Sequence, residues 1–586
     1  MIEIFFKSIF IVLTVISAGF IFNKYFFKFK IYKNFSELGL LGVVFLSIIS
    51  FLLHFFVPLN ATVSNFIYIF PFSIIIIEKF NKKKILELVK FCLIFSILTI
   101  IYLSYSNFYR PDAGWYHFPF SRLISDYKII AGTASLHPMF GTTSILQYLS
   151  SVFHNSIIGA NGILFANPII LILFLMFFFN NFLRERQIIL KFLSLIILFS
   201  IFIEMNRNSE LGNDAPGYLY YFYLFYAFLR SSLDAGYKEN RFKFLSLISV
   251  FCFFIKSLYI FTLIFPLFIF VKEKLFLKKQ YYFHTASFVL IAWLLKNIIL
   301  TGCLIYPINF TCSDKISWYS SESKFEISAK NTSQFSELHS KGWPDFNEDK
   351  QYYLNYDDQL KDKNSFLNSF NWFEEYLKQG RINNITKKID FLIPTILILL
   401  LLSYFSLKKN IKKFFFQRIP DLKKIDYKFL LISSILFTLI ILNKLPDARY
   451  FFGFLLISIF LIIINFINIK LLFLKKKIFS NISNIFLAVL FSVFVIKNSY
   501  KIYTKSESAI PLPNININHN IFNYELKKIN HNNILKIFYT DNLYSKFASK
   551  KICVYHKSPC VQNRSILNQF NIKTINGYLI LELIKK

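Results

Sequence analysis

At 586 residues the chain is 55% hydrophobic with a mean hydropathy of +0.48, which excludes an ordinary soluble domain. A formal charge of +33 would suit nucleic acid. The basic runs, however, lie between apolar blocks, as membrane loops do, and no recognition groove or motif is in view, so nucleic-acid binding is set aside.

The apolar blocks predict an all-α polytopic membrane protein with about 14 transmembrane helices. The expected spans are 2–22, 37–57, 63–79, 88–105, 157–179, 188–204, 216–232, 243–255, 258–271, 283–300, 388–407, 428–443, 450–469 and 478–496. The first block lacks a cleavage signal of small residues and leads into a basic loop, so it is expected to be retained. The short pair 243–255 and 258–271 has one long tilted helix as its alternative. Splitting it keeps basic runs such as Lys24–Lys33, Arg184–Arg186, Lys272–Lys279 and Lys470–Lys477 on every second connection. The positive-inside rule makes that face cytoplasmic.

The opposite face collects the polar material. A membrane domain, 1–496, carries a first large outer loop at 106–156 and a second outer segment at 301–387. Residues 497–586 follow as a small extracytoplasmic α/β domain, with strand-like runs at 534–539, 552–555 and 574–581.

The first outer loop holds the densest chemistry, in the run YRPDAGWYHFPFSRLISDYKIIAGTASLHPMF from Tyr109 to Phe140. Its prolines and glycines predict a folded loop with fixed turns. Asp112 follows a span at headgroup depth, where Trp115 and Tyr116 would shield it and raise its basicity. Its plainer reading is a turn cap or a pair with Arg110. His117 and His137 have three readings: acceptor orientation, phosphate binding or internal hydrogen bonding. A divalent cation held by Asp112, His117 and His137 is the minority alternative to a site without cofactors.

Further along, Asp214 in ELGNDAPGY is a second acid at the outer start of a span, with Arg207 as its plain partner. Lys256 interrupts the apolar run FFIKSLY, either snorkelling to the interface or neutralising an anionic headgroup. Lys296 has a similar position in WLLKNIILTG. In NKLPDARYF, Asp447 and Arg449 form a local pair, or Arg449 reaches a phosphate as a bidentate donor.

Of the six cysteines, Cys92 and Cys252 fall inside spans as apolar fillers. Cys303 with Cys312, and Cys553 with Cys560, are close pairs on the outer face that fit local disulfides in an oxidising compartment. Free thiols are the alternative. Neither pair has zinc spacing.

Taken in order, PDAGWYH (111–117), GTASLH (132–137), DAP (214–216), Lys256, KNIILTGCLIYP (296–307) and PDARY (446–450) resemble a family of bacterial polytopic membrane proteins. That family is related to the GT-C-type glycosyltransferases, and CVYHKSPC (553–560) also looks like its tail. The resemblance implies transfer of a sugar from a polyprenyl-phosphate carrier to an envelope glycan or lipid, on the extracytoplasmic side. It also implies that Asp112 is the catalytic acid of the first outer loop.

The expected function is therefore a membrane glycosyltransferase. Asp112 activates the acceptor, and Asp214 is the second acid. Lys256, Arg449 and Lys296 meet the lipid phosphate, while Tyr116, His117, His137 and Asp447 shape the pocket. The alternatives are a surface-polysaccharide polymerase or ligase, and a lipid-linked glycan transporter. A transporter would place polar groups near mid-bilayer in several helices and repeat its fold.

Overall fold

A computed structural model describes residues 2–27, 34–71, 82–105, 116–185, 187–208, 212–233, 241–277, 284–320, 329–343, 363–368, 370–383, 386 and 424–466. Beyond these it describes 492, 496, 500, 522–523, 526–531, 535–540, 544–545, 560–561 and 570–584. Asp112 and Cys553 lie outside the described residues, as do the expected spans 388–407 and, nearly entirely, 478–496.

The described chain is mostly helical. The N-terminal helices are α1 (Ile2–Phe22), α2 (Phe35–His54), α3 (Ala61–Ile69) and α4 (Lys82–Tyr105). The stretch expected from sequence to be the first outer loop contributes α5 (Phe118–Asp126) and α6 (Ile145–Phe153), joined through 3-10 turns at Thr133–Ser135 and Pro138–Phe140. Then come α7 (Ala166–Arg184), α8 (Ile188–Asn208), α9 (Asp214–Leu233), α10 (Arg241–Ile255), α11 (Ile264–Lys272) and α12 (His284–Thr301). The second outer segment supplies α13 (Ala329–Lys341), α14 (Lys363–Leu367) and α15 (Trp372–Lys378), before α16 (Lys424–Lys444) and α17 (Ala448–Phe466).

Among the described residues, four helical stretches are long and apolar enough to cross a membrane: Ile2–Phe27, Phe35–His54, Gly162–Arg184 and Asp426–Lys444. Ile189–Phe202, Ser257–Lys272, Thr285–Thr301 and Ala448–Ile464 are shorter apolar helices. The structure thus supports a membrane-type helical protein without establishing the expected 14 spans. Composition accounts for part of the difference. Five tyrosines on α9, at 218, 220, 221, 223 and 226, and the lysines of α4 lower their hydropathy. Polar backbone breaks shorten others.

One expectation about those breaks is decided by geometry. Residues 241–272 form a hairpin rather than one tilted helix. Phe242 packs on Phe270, with ring centroids 5.8 Å apart, and the Thr262 hydroxyl donates to the Ser249 carbonyl at 3.0 Å. The chain therefore reverses around Lys256.

Polar connections gather at the two ends of the helical body. At one end Glu37 meets Arg230 and Tyr223, Tyr226 donates to Glu185, Arg241 faces Glu273, and Lys272 pairs with Asp426. At the other, His54 bonds the Tyr127 carbonyl at 3.0 Å and Asn167 donates to the Gly212 carbonyl at 2.8 Å. Between the ends the core is phenylalanine and tyrosine packed edge-on, as where Tyr220 meets Phe174 and Phe251.

The tail contributes strands β1 (Phe522–Asn523), β2 (Leu526–His531), β3 (Leu535–Thr540), β4 (Tyr544–Ser545), β5 (Cys560–Val561), β6 (Phe570–Ile575) and β7 (Tyr578–Leu583). β2, β3 and β5 form one sheet, with β3–β5 parallel, and β6–β7 is an antiparallel hairpin turning at Asn576–Gly577. The polar helix expected in this domain falls largely outside the described residues. β7 pairs with the first outer loop: Ala131 donates to the Leu579 carbonyl at 3.0 Å, and Leu581 donates back at 2.9 Å. Leu583 reaches Ser317 of the second outer segment at 3.1 Å, so three distant stretches share one backbone network.

The tightest helix crossing is α1 on α2. A Cβ at Gly19 would lie 1.7 Å from the Leu38 carbonyl oxygen, and one at Gly42 would lie 1.7 Å from that of Val15. Small residues allow such backbone approach where no solvent-driven term favours helix association. Gly42→Ala is expected to destabilise the fold by about 1–3 kcal/mol or more, as overpacking does. Thermal unfolding in detergent beside Ser47→Ala, on the same helix, checks this.

Candidate functional site

The end of the helical body that carries the loops 116–156 and 301–343 also carries most of the side chains singled out above. Asp214 opens α9, where the exposed amide dipoles of the first turn favour a carboxylate. Gly217, one turn on, admits the neighbouring strand of chain: a Cβ there would lie 2.4 Å from the Tyr259 ring. That approach brings the α10–α11 reversal against the start of α9.

Lys256 sits at the reversal in extended backbone (φ −156°, ψ 132°), between α10 and a 3-10 turn over Ser257–Leu263. Its ammonium pairs with the Asp214 carboxylate and lies 4.1 Å from the centre of the Tyr450 ring. About a quarter to a third of each side chain remains exposed (27% and 34%). Lys256 thus forms the ion pair with Asp214 that the sequence reading gave to Arg207.

The turn before α17 completes this corner. Asp447 accepts from the Arg449 amide at 3.0 Å and faces the Arg449 guanidinium at 3.0 Å. One carboxylate therefore both caps the helix start and holds the arginine. The field of Arg449 reaches Asp214, as does that of His117. Tyr376 of α15 donates to the Pro446 carbonyl at 2.5 Å, and Lys444 pairs with Glu337 of α13. The 329–383 segment thereby holds the turn.

His117 is buried at the entry to α5, 4% exposed, with its Nδ1 3.3 Å from the Gln147 amide nitrogen. Burial pushes its imidazole down to about 4; Asp214 opposes this and Lys256 adds to it. His137 accepts from the Met139 amide through Nδ1 at 3.1 Å and caps its 3-10 turn, and burial holds it at about 3. Tyr116 contacts both rings, tilted against His117 at 4.3 Å and stacked on His137 at 6.1 Å.

Lys296 forms an adjoining centre. It is 1% exposed, donates to the Thr143 hydroxyl at 2.8 Å and lies 3.5 Å from the Trp293 ring centre. No ion pair is recorded for it among the described residues. Thr143 immediately precedes the N-cap of α6, and Gln147 lies in that helix's first turn, so the two centres share one helix start.

The structure thus brings Asp214, Lys256, Arg449, Tyr116, His117 and His137 to one corner, with Asp447 beside them and Lys296 adjoining. Cys303 and Cys312 are joined by a disulfide just past the C-terminal end of α12. Gln147, Thr143 and Tyr259 were not singled out from sequence. The signal for Gln147 was present as Ser144-x-x-Gln147, a capping-box spacing. Among the described residues no three His, Cys, Asp or Glu side chains converge on a metal position.

Fold and site together define a helical, membrane-type protein with a partly buried polar corner at one end. Residues 1–456 match the family described as "Domain of unknown function (DUF8201)", and the chain belongs to that family. No curated protein and no solved structure matches.

Two measurements bear on the corner. The Lys256–Asp214 pair is part-exposed, so a double-mutant cycle with Lys256→Ala and Asp214→Ala in detergent should give a coupling of about 1 kcal/mol, above most surface pairs. The buried histidines impose an acid limit. Unfolded, each takes a proton near about pH 6.5; folded, His117 does so only at about 4 and His137 at about 3. Between those values the unfolded state binds more protons, so stability falls as pH falls. His137→Asn keeps a capping acceptor and is expected to flatten the acid limb of Tm against pH between 6.5 and 4.

Proposed function

We propose that the chain is a multi-pass glycosyltransferase of the bacterial inner membrane, of GT-C type with about 14 spans. It moves a sugar from a polyprenyl-phosphate carrier to an envelope glycan or lipid on the extracytoplasmic side. The observation that carries this reading is the convergence of Asp214, Lys256, Arg449 and His117, drawn from four separated stretches of chain, at one end of the helices. Carboxylates and cations side by side at headgroup depth suit a reaction that removes a proton and releases a phosphate.

In the proposed step, Asp112 takes the proton from an acceptor hydroxyl as that oxygen attacks the anomeric carbon. The carbon–oxygen bond to the phosphate breaks, and its electron pair leaves on the lipid phosphate. A single displacement inverts the anomeric configuration. The ammonium of Lys256 has three donors, of which Asp214 and the Tyr450 face do not use all, and Arg449 is its neighbour. In this reading both meet the leaving phosphate, with Lys296 adjoining. Tyr116, His117 and His137 form the wall against which the acceptor packs. Asp214, flanked by Lys256 and Arg449, is the second carboxylate and the alternative base.

Purified protein with labelled polyprenyl-phosphate sugars and membrane extract as acceptor tests this. Wild type is expected to transfer label, and folded Asp112→Asn to lose at least about 100-fold of the rate, as removal of a general base does. Lys256→Ala is expected to lose rate with its elution in detergent unchanged. Loss in Asp214→Asn but not in Asp112→Asn would move the base to Asp214. Failure of wild type to transfer any sugar, with label crossing the membrane unreacted, would overturn the reading in favour of transport.

A further inference from the structure

The Gln147 side chain carries two hydrogen bonds whose directions are not independent. Its Oε1 accepts from the Ser144 backbone amide at 2.9 Å, closing a capping box in which the Ser144 hydroxyl in turn accepts from the start of α6. A backbone N–H can only donate, so the group facing Ser144 must be the amide oxygen. The other end of the amide, 3.3 Å from His117 Nδ1, is then necessarily the NH₂. An NH₂ can only donate, so the ring nitrogen it faces must be unprotonated. In a neutral imidazole the single proton then sits on Nε2.

We propose that Gln147 is a positioning residue that locks His117 as a neutral imidazole with its proton on Nε2. His117 is thereby a fixed hydrogen-bond donor toward the corner, and not a general base or a metal ligand through Nε2. The charged groups whose fields reach the ring are Asp214 at the start of α9 and Lys256 at the α10–α11 reversal. Tyr116 is the aromatic neighbour on the ring's other side. A second proton on the ring would set an N–H against the Gln147 NH₂ at a buried position, and burial opposes that charge independently.

The lock also selects ligand chemistry. A group occupying the corner must present an oxygen that accepts from the His117 Nε2–H, as a phosphate or an ether oxygen does. A group that can only donate is rejected, since it would leave two donors opposed. This rests on the position of His117 and not on the transfer reaction, so it stands or falls separately.

The test is nitrogen NMR of full-length protein in lipid bilayers with 15N-labelled histidine, the His117 signals being identified by their loss in His117→Gln. Wild type is expected to show His117 Nδ1 unprotonated and Nε2 protonated from pH 8 down to below 6, while exposed histidines titrate. Gln147→Glu keeps the capping box, because a carboxylate also accepts from Ser144 and is favoured at a helix start. It replaces the donor facing Nδ1 with an acceptor, and at pH 8 the proton is expected to appear on Nδ1. A protonated Nδ1 in wild type, or a ring that charges near pH 6.5, would overturn the proposal. So would a Gln147→Glu spectrum identical to wild type, because a merely structural capping role would leave the tautomer unmoved.

Discussion

An ammonium group in an apolar helix hairpin has few ways to exist, and the chain is arranged around the one that Lys256 takes. Transfer of an isolated charge out of water is prohibitive, so the lysine must reach a partner or the surface. The α10–α11 hairpin reverses at this residue, which leaves the backbone extended and frees the side chain to turn toward α9. Asp214 meets it from the first residue of that helix, and Tyr450 closes over it from the start of α17. One pairing therefore sets the relative heights of three helix ends. Asp447 and Arg449 add a second pair beside the first, so the corner holds two carboxylates and two cations with little net charge. That near-neutrality lets it lie at the edge of an apolar body while still presenting donors and acceptors.

Around this corner the non-membrane stretches behave as a clamp built from backbone. The first outer loop is not a flexible excursion. α5, α6 and the two 3-10 turns bury most residues from His117 to Phe153, and local bonds such as the His137 and Ser144 caps fix their turns. The β6–β7 hairpin, more than 400 residues later in the chain, extends that loop as added strand and reaches the second outer segment as well. Gly132, at φ +75°, is the residue that permits the close contact: a Cβ there would lie 2.5 Å from the Leu581 carbonyl oxygen. The second segment, through Tyr376 and Glu337, holds the turn that carries Arg449. Each element that positions the corner is thus tied to another by a bond that does not depend on the bilayer.

Much of the candidate site was legible because charge is conspicuous in apolar sequence. Lys256, Lys296, Asp214 and Arg449 each interrupt or border a hydrophobic run, and a charge in that position needs a reason. Their pairings were not legible, since a carboxylate chooses its partner by distance in space. Asp214 bonds a lysine 42 residues downstream, although Arg207 lies 7 residues away in sequence. Neutral polar residues were missed for the converse reason. Gln147 and Thr143 sit in stretches whose composition is unremarkable, and their significance comes from what lies across from them. The count of spans was not established by the described residues: four helical stretches there are long and apolar enough to cross a membrane, the others are shorter or more polar, and two expected spans lie outside or nearly outside them.

What the amino-acid sequence determined unaided was the class: a helical, membrane-type chain with basic and polar connections sorted between its two ends. Apolar blocks of that length must satisfy their backbone internally, and helices do so locally, so no tertiary information is required. It also determined local devices such as the Ser144–Gln147 capping box, whose partners are three residues apart. Only the tertiary structure decided that 241–272 folds back on itself, that Lys256 belongs to Asp214, that His117 faces Gln147, and that β7 completes the first outer loop. Those are contacts between residues distant in sequence, made by packing and by the need to pair buried polar groups. Sequence periodicity records which face of a helix is buried; it carries no label for what that face will meet.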